Sequence, residues 1–122
     1  MSDATISVIY KWTAQPGKLD ALKSIYKDVT NSMHDNEPGA ANVQVFASEN
    51  ENALYVHDDF VDANALGFHL SQTAAEHFPE LLSIATPGPF FFMGDVPEEL
   101  KAATQQMQLG AEFSDHMAGF SR

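Results

Sequence analysis

His69 is the residue of this chain best placed to do chemistry. It stands about two turns into a helix that opens at Asp62, directly after an apolar strand over residues 54–60. Near neutral pH an imidazole can take a phenolic proton or hydrogen-bond the anion that results. The rival reading is a packing histidine whose ring satisfies a neighbouring backbone group. Asp58 and Asp59, at the end of the strand, are acids that can orient His57 or His69, or else exposed edge charges. Aromatic side chains near these groups are candidate walls of a pocket for a flat ring: Tyr10 and Trp12 on one face of the first strand, Tyr55 and His57 on one face of the third. Phe46, Phe68, Phe90 and Phe92 are further wall candidates, and all of these residue types also serve as plain core.

Other chemistries find less support. The chain has no cysteine, which excludes disulfides, thiol catalysis and thiolate metal sites. His57, His69, His77, Asp58 and Asp59 are metal-ligand types. There is no HxH or HExxH, however, and His69 and His77 lie eight residues apart across a helix break, so no metal site is expected. No GxGxxG and no P-loop is present. Seventeen acids against six Lys and Arg give a net charge of −11, the wrong sign for a phosphate-binding surface. Lys18, Lys23 and Lys27 share a helix face with Asp20 and Asp28 close by, a solvated face rather than a basic patch. Nucleic acid and anionic membrane are therefore not expected partners, whereas a neutral or apolar small molecule fits. No run of 18 apolar residues suggests a membrane span. The opening MSDATISVIYKW lacks the pattern of a secretory leader, so a cytoplasmic location is expected.

The elements that position these residues follow from periodicity. Residues 6–13 alternate as a strand, and Gln15-Pro16-Gly17 breaks it. Residues 18–34 form a helix with Leu19, Leu22, Ile25, Tyr26, Val29 and Met33 on one stripe. Glu37-Pro38-Gly39 marks a turn. Residues 42–48 and 54–60 make two strands joined by a polar link of hairpin length. Asp62 is the expected N-cap of the next helix. That helical region splits into pieces near 63–70 and 74–85, the second with a capping-box pattern at Thr73 to Glu76 and Pro79 in its first turn. Pro87-Gly88-Pro89 ends it, and residues 90–93 form a fourth strand. The order β-α-β-β-α-β predicts a ferredoxin-like α+β fold, a four-stranded antiparallel sheet with two helices on one face. Residues 1–94 make this domain. Residues 95–122 form a C-terminal helical extension, with Asp95 capping a helix over 97–109 and Phe113, Met117 and Phe120 at helical spacing beyond it.

Both faces of the first three strands carry apolar side chains: Ile9 opposite Val8 and Tyr10, Phe46 opposite Val45, and Tyr55 opposite Leu54 and Val56. A monomer would expose one of these faces, and such a patch predicts face-to-face sheet packing in a homodimer. Ser7, Lys11 and Gln44 argue instead for a solvated face.

The ordered pieces YKW-x3-PGK-x-DALKSIY, NEPGAANVQVF, LYVHDDFVDANALGFHL and HFPELL resemble the antibiotic biosynthesis monooxygenase family, a dimeric α/β-barrel group that includes quinol monooxygenases. The resemblance covers about residues 5–94 and rests chiefly on Pro16-Gly17-Lys18, Glu37-Pro38-Gly39 and Asp62-x2-Ala65-Leu66-x2-His69. It implies oxidation of an electron-rich aromatic or quinol substrate by dioxygen, without metal, flavin or nicotinamide, in an apolar cavity between sheet and helices. His69 matches the family's histidine and takes the implied role of base or anion stabiliser. Related members degrade haem or bind ligands. A haem role would use His69 as proximal ligand, but the acidic balance gives little support for docking propionates. The alternative from another class is a non-catalytic ligand-binding or stress-associated dimer built round the same pocket.

Overall fold

The structure, a computed structural model, describes residues 5–122. Residues 1–4, the start of the segment inspected for a leader, lie outside it. The elements run β1 (Ile6–Ala14), α1 (Leu19–Asn36), β2 (Ala40–Ser48), β3 (Ala53–Phe60), α2 (Ala63–Ser71), α3 (Thr73–Leu82), β4 (Ala85–Met93), α4 (Glu98–Gln106) and β5 (Ala111–Ser114). The expected ferredoxin-like α+β fold is present, with one more strand than expected. The sheet order is β2-β3-β1-β4-β5. β1 pairs antiparallel with β3 and β4, β2 pairs antiparallel with β3, and β5 adds parallel to β4.

Strand parity decides what is inside. Ile6, Val8, Tyr10 and Trp12 of β1, Leu54, Val56 and Phe60 of β3, and Phe90 and Phe92 of β4 face the helices. Leu22, Tyr26, Val29 and Met33 of α1 pack on them, with Leu66 of α2 and Leu81 of α3. These are the stripe positions of an amphipathic helix set on an alternating sheet face.

Four expectations change. Residues 85–89 belong to β4 and do not end a helix; the ladder shifts register between Tyr10 and Trp12, opposite Pro87-Gly88-Pro89, and an irregular strand tolerates proline there. α3 starts at Thr73 without a capping box: α2 runs into it through Gln72, whose carbonyl accepts the Glu76 N–H, and Pro79 sits inside the helix. Asp95 does not cap α4, which begins after Pro97. The segment after Gly110 is not helical. Gly110, at φ +65°, turns the chain onto the open edge of β4, whose backbone groups accept residues 111–114 as a strand. Phe113 stacks on Phe92 at 5.3 Å, while Met117 and Phe120 are exposed.

Candidate active site

The space between sheet and helices holds a small cavity of about 40 Å³ with mostly apolar walls. β1 supplies Tyr10 and Trp12, β3 supplies Asp58 and Phe60, and β4 supplies Phe90 and Phe92. Tyr26 of α1, His69 of α2 and His77 and Phe78 of α3 close the other side. Met107 and Leu109, from the segment after α4, complete the wall. Tyr10 stacks on Phe90 with centroids 4.3 Å apart, and Trp12 meets Phe78 edge-on at 5.8 Å.

Local structure places His69. The Asp62 side chain accepts the Ala65 N–H at 2.8 Å and sets the start of α2. The Gly39 carbonyl accepts the Val61 N–H at 2.9 Å, which ties the turn after α1 to the entry of α2. A Cβ at Gly39 would stand 2.5 Å from the Ala65 Cβ, so only glycine lets the two segments approach this closely. The approach brings Glu37 to the buried histidine: His69 Nδ1–H donates to Glu37 Oε2 over 3.0 Å. With Nδ1 carrying that hydrogen, the neutral ring presents Nε2 as its free lone pair. The ring also lies against Phe60, centroids 5.3 Å apart.

A second polar group faces this pair. The Tyr26 hydroxyl donates to the Tyr10 hydroxyl at 3.0 Å, and Tyr10 donates to Asp58 Oδ2 at 2.8 Å. Burial raises the Asp58 carboxyl to about 6; Glu37 adds to the rise, while His69, the Tyr10 hydrogen bond and His57 oppose it. Burial, then the Asp58 charge, also pushes both tyrosines above their ordinary range. Asp58 Oδ1, Glu37 Oε1 and Trp12 Nε1 are buried without a hydrogen-bond partner among the described residues. Trp12 Nε1 approaches the Tyr26 hydroxyl but misses hydrogen-bond geometry.

Of the residues singled out in the sequence, His69, Tyr10, Trp12, Phe90 and Phe92 come together around the cavity. Phe46, Tyr55, His57 and Phe68 do not line it. Phe46, Tyr55 and His57 occupy the opposite face of the sheet, because inward and outward positions alternate along β2 and β3. Phe68 precedes His69 on α2 and so points about 100° away from it, half-exposed to solvent. The two acids separate by the same parity. Asp58 turns inward, and Asp59 turns outward, where it binds His57 Nε2 at 2.9 Å and Ser7 Oγ at 2.5 Å. The acid that orients His69 is neither of them but Glu37, which the sequence showed only as part of a turn. Its signal was an acid held in the turn motif before Pro38-Gly39. Tyr26 was visible only as one more position of a helix stripe. Among the described residues no group of three or more His, Cys, Asp or Glu is arranged to hold a metal ion, and no helix is long and apolar enough to cross a membrane.

Residues 5–81 match the family model described as antibiotic biosynthesis monooxygenase. No curated protein matches the chain. Among solved structures, MupZ from Pseudomonas fluorescens superposes with a TM-score of 0.80 at 19% identity, covering 97% of this chain and 94% of that one. A conserved protein from Methanosarcina mazei Go1 gives 0.66 at 18% identity, over 77% and 95% of the two chains. Rv0793 from Mycobacterium tuberculosis gives 0.65 at 14% identity, over 77% and 97%. At these identities the superpositions speak for the fold, and the MupZ match extends it over the region of α4 and β5.

Proposed function

The chain belongs to the antibiotic biosynthesis monooxygenase family, and we propose that it oxidises a small aromatic or quinol substrate with dioxygen, with His69 as the base. The observation that carries this reading is the buried His69–Glu37 pair set against an aromatic-walled cavity. Glu37 holds Nδ1, so Nε2 can accept the phenolic proton of a bound ring, and Glu37 stabilises the imidazolium that forms. The phenolate so made is electron-rich enough to reduce dioxygen. One oxygen atom enters the ring and the other leaves as water, with the electrons supplied by the substrate itself. Apolar walls keep bulk water from the anion and strengthen its interaction with the imidazolium.

The cavity is small for a ring: apolar cavities that bind benzene are roughly 150 Å³, against about 40 Å³ here. A ligand therefore enters by pushing side chains outward, and monocyclic substrates are favoured. The same cavity supports the alternative reading, a ligand-binding protein without turnover. For the assembly we propose a homodimer through the outer sheet face, where Ile9, Phe46, Tyr55 and Phe91 are exposed apolar side chains on adjacent strands.

The test is oxygen uptake by metal-stripped protein with hydroquinones, naphthoquinols and anthrones, with His69→Ala measured in parallel. The expected result is uptake that survives chelator and falls sharply in the variant. Uptake no faster than the spontaneous rate across the panel, with ligand binding retained, selects the binding protein instead.

A further inference from the structure

The buried carboxyl on β3 has no part in the chemistry assigned to His69, yet it lines the same cavity. Asp58 is 1% exposed. Its Oδ2 is occupied by the Tyr10 hydroxyl, and because Tyr26 in turn donates to Tyr10, the direction of both hydroxyls is set. Oδ1 has no partner. A buried carboxyl with one oxygen unsatisfied is costly, and the tyrosines that hold the other oxygen prevent it from turning away. Phe60 stands two residues further along the same strand face and packs against the His69 ring. One aromatic side chain thus separates two polar groups, each with a free hydrogen-bonding atom, in a cavity whose walls are mostly apolar.

We propose that Asp58 is the second polar anchor of the ligand: its Oδ1 accepts a hydrogen bond from a hydroxyl on a ring position other than the one whose oxygen meets His69, so the site selects dihydroxylated over singly hydroxylated aromatics. This rests on the aromatic-ligand reading above, and it concerns recognition, independent of any reaction with oxygen. Tyr10 and Tyr26 act as positioning residues by fixing the Asp58 carboxyl plane.

The experiment pairs each dihydroxybenzene isomer with its monomethyl ether and measures affinity in oxygen-free buffer. The protein has a single tryptophan, and Trp12 lines the cavity, so its indole N–H resonance reports binding without ambiguity. Methylation removes the donor that Asp58 would accept but also adds a methyl group, so the comparison with Asp58→Asn separates the hydrogen bond from the bulk. The expected result is that at least one isomer binds about tenfold or more tightly than its ether, as for a hydrogen bond to a charged group. In Asp58→Asn the ratio should collapse toward one, because an amide NH2 at the Oδ1 position donates to a hydroxyl and an ether oxygen alike. Equal affinities within every pair, no shift of the indole resonance with any of the compounds, or a ratio unchanged in a folded Asp58→Asn overturns the proposal. If circular dichroism shows that the variant does not fold, the wild-type affinities for each dihydroxybenzene and for phenol, which lacks the second donor without added bulk, decide: no isomer binding more tightly than phenol overturns the proposal. A wild type that shows the preference but consumes no oxygen loses the monooxygenase reading and keeps this one.

Discussion

Glu37 and His69, 32 residues apart in the chain, form a buried hydrogen-bonded pair at 3.0 Å. The pair joins the end of α1 to the later turns of α2, and it gives the imidazole a defined orientation. Glu37→Gln keeps the size and an acceptor oxygen but loses the charge that stabilises an imidazolium. Oxygen uptake with the best substrate should fall roughly tenfold to a hundredfold in Glu37→Gln, and about a hundredfold or more in His69→Ala. Both variants should keep the wild-type circular dichroism spectrum. Full activity in Glu37→Gln would show that the imidazole works without its partner.

Asp58 should make stability depend on pH. Its folded carboxyl titrates near 6 against 3.8 for the unfolded chain. The folded state therefore holds the proton more tightly, so the stabilisation is complete below 3.8 and is lost as pH rises through about 6. His69, Glu37, Tyr10, Tyr26 and His57 surround the group and persist in the variant. Asp58→Asn should thus gain on the wild type as pH rises across this window, by about 3 kcal/mol at neutral pH. Urea titrations of both proteins at pH 4, 5, 6 and 7 measure it; a constant difference across the series would contradict the assignment.

Gly39→Ala tests the contact that seats α2. The added methyl meets the Ala65 Cβ at 2.5 Å. The turn or α2 must shift, at about 1–3 kcal/mol. Urea unfolding should show that loss, and because the turn carries Glu37, oxygen uptake should fall with it.

Leu109→Ala should enlarge the cavity from the side of the extension. Leu109 is buried and lines the wall, so its truncation should cost about 2–5 kcal/mol. The compensating effect is affinity for larger apolar ligands, with bicyclic compounds binding the variant more tightly than the wild type. Calorimetry with naphthalene-sized and benzene-sized ligands distinguishes the two proteins.

Phe46→Asp tests the dimer. Phe46 is 60% exposed on the outer sheet face, so a charge there leaves the core intact and disrupts apolar packing between two sheets. Sedimentation should give a dimer for the wild type and a monomer for the variant at micromolar concentration. A wild-type monomer would remove the proposed interface.

The local pieces were legible along the chain. The period of two in residues 6–13, the stripe through Tyr26 and Val29, and the Asp62 cap each depend on neighbours along the chain, and each stands in the structure as read. The order of those pieces was enough for the ferredoxin-like arrangement, and the position of His69 on α2 came with it. Which side chains meet depends on the assembled fold. Alternation along a strand assigns residues to two faces without saying which face is covered, so Tyr55 and His57 read as plausibly as Tyr10 and Trp12 until the helices covered the other side. The fifth strand depended on an edge that β4 offers only once the sheet has formed. Glu37 became the partner of His69 through the close approach at Gly39, a contact between segments remote in sequence, which no local pattern encodes.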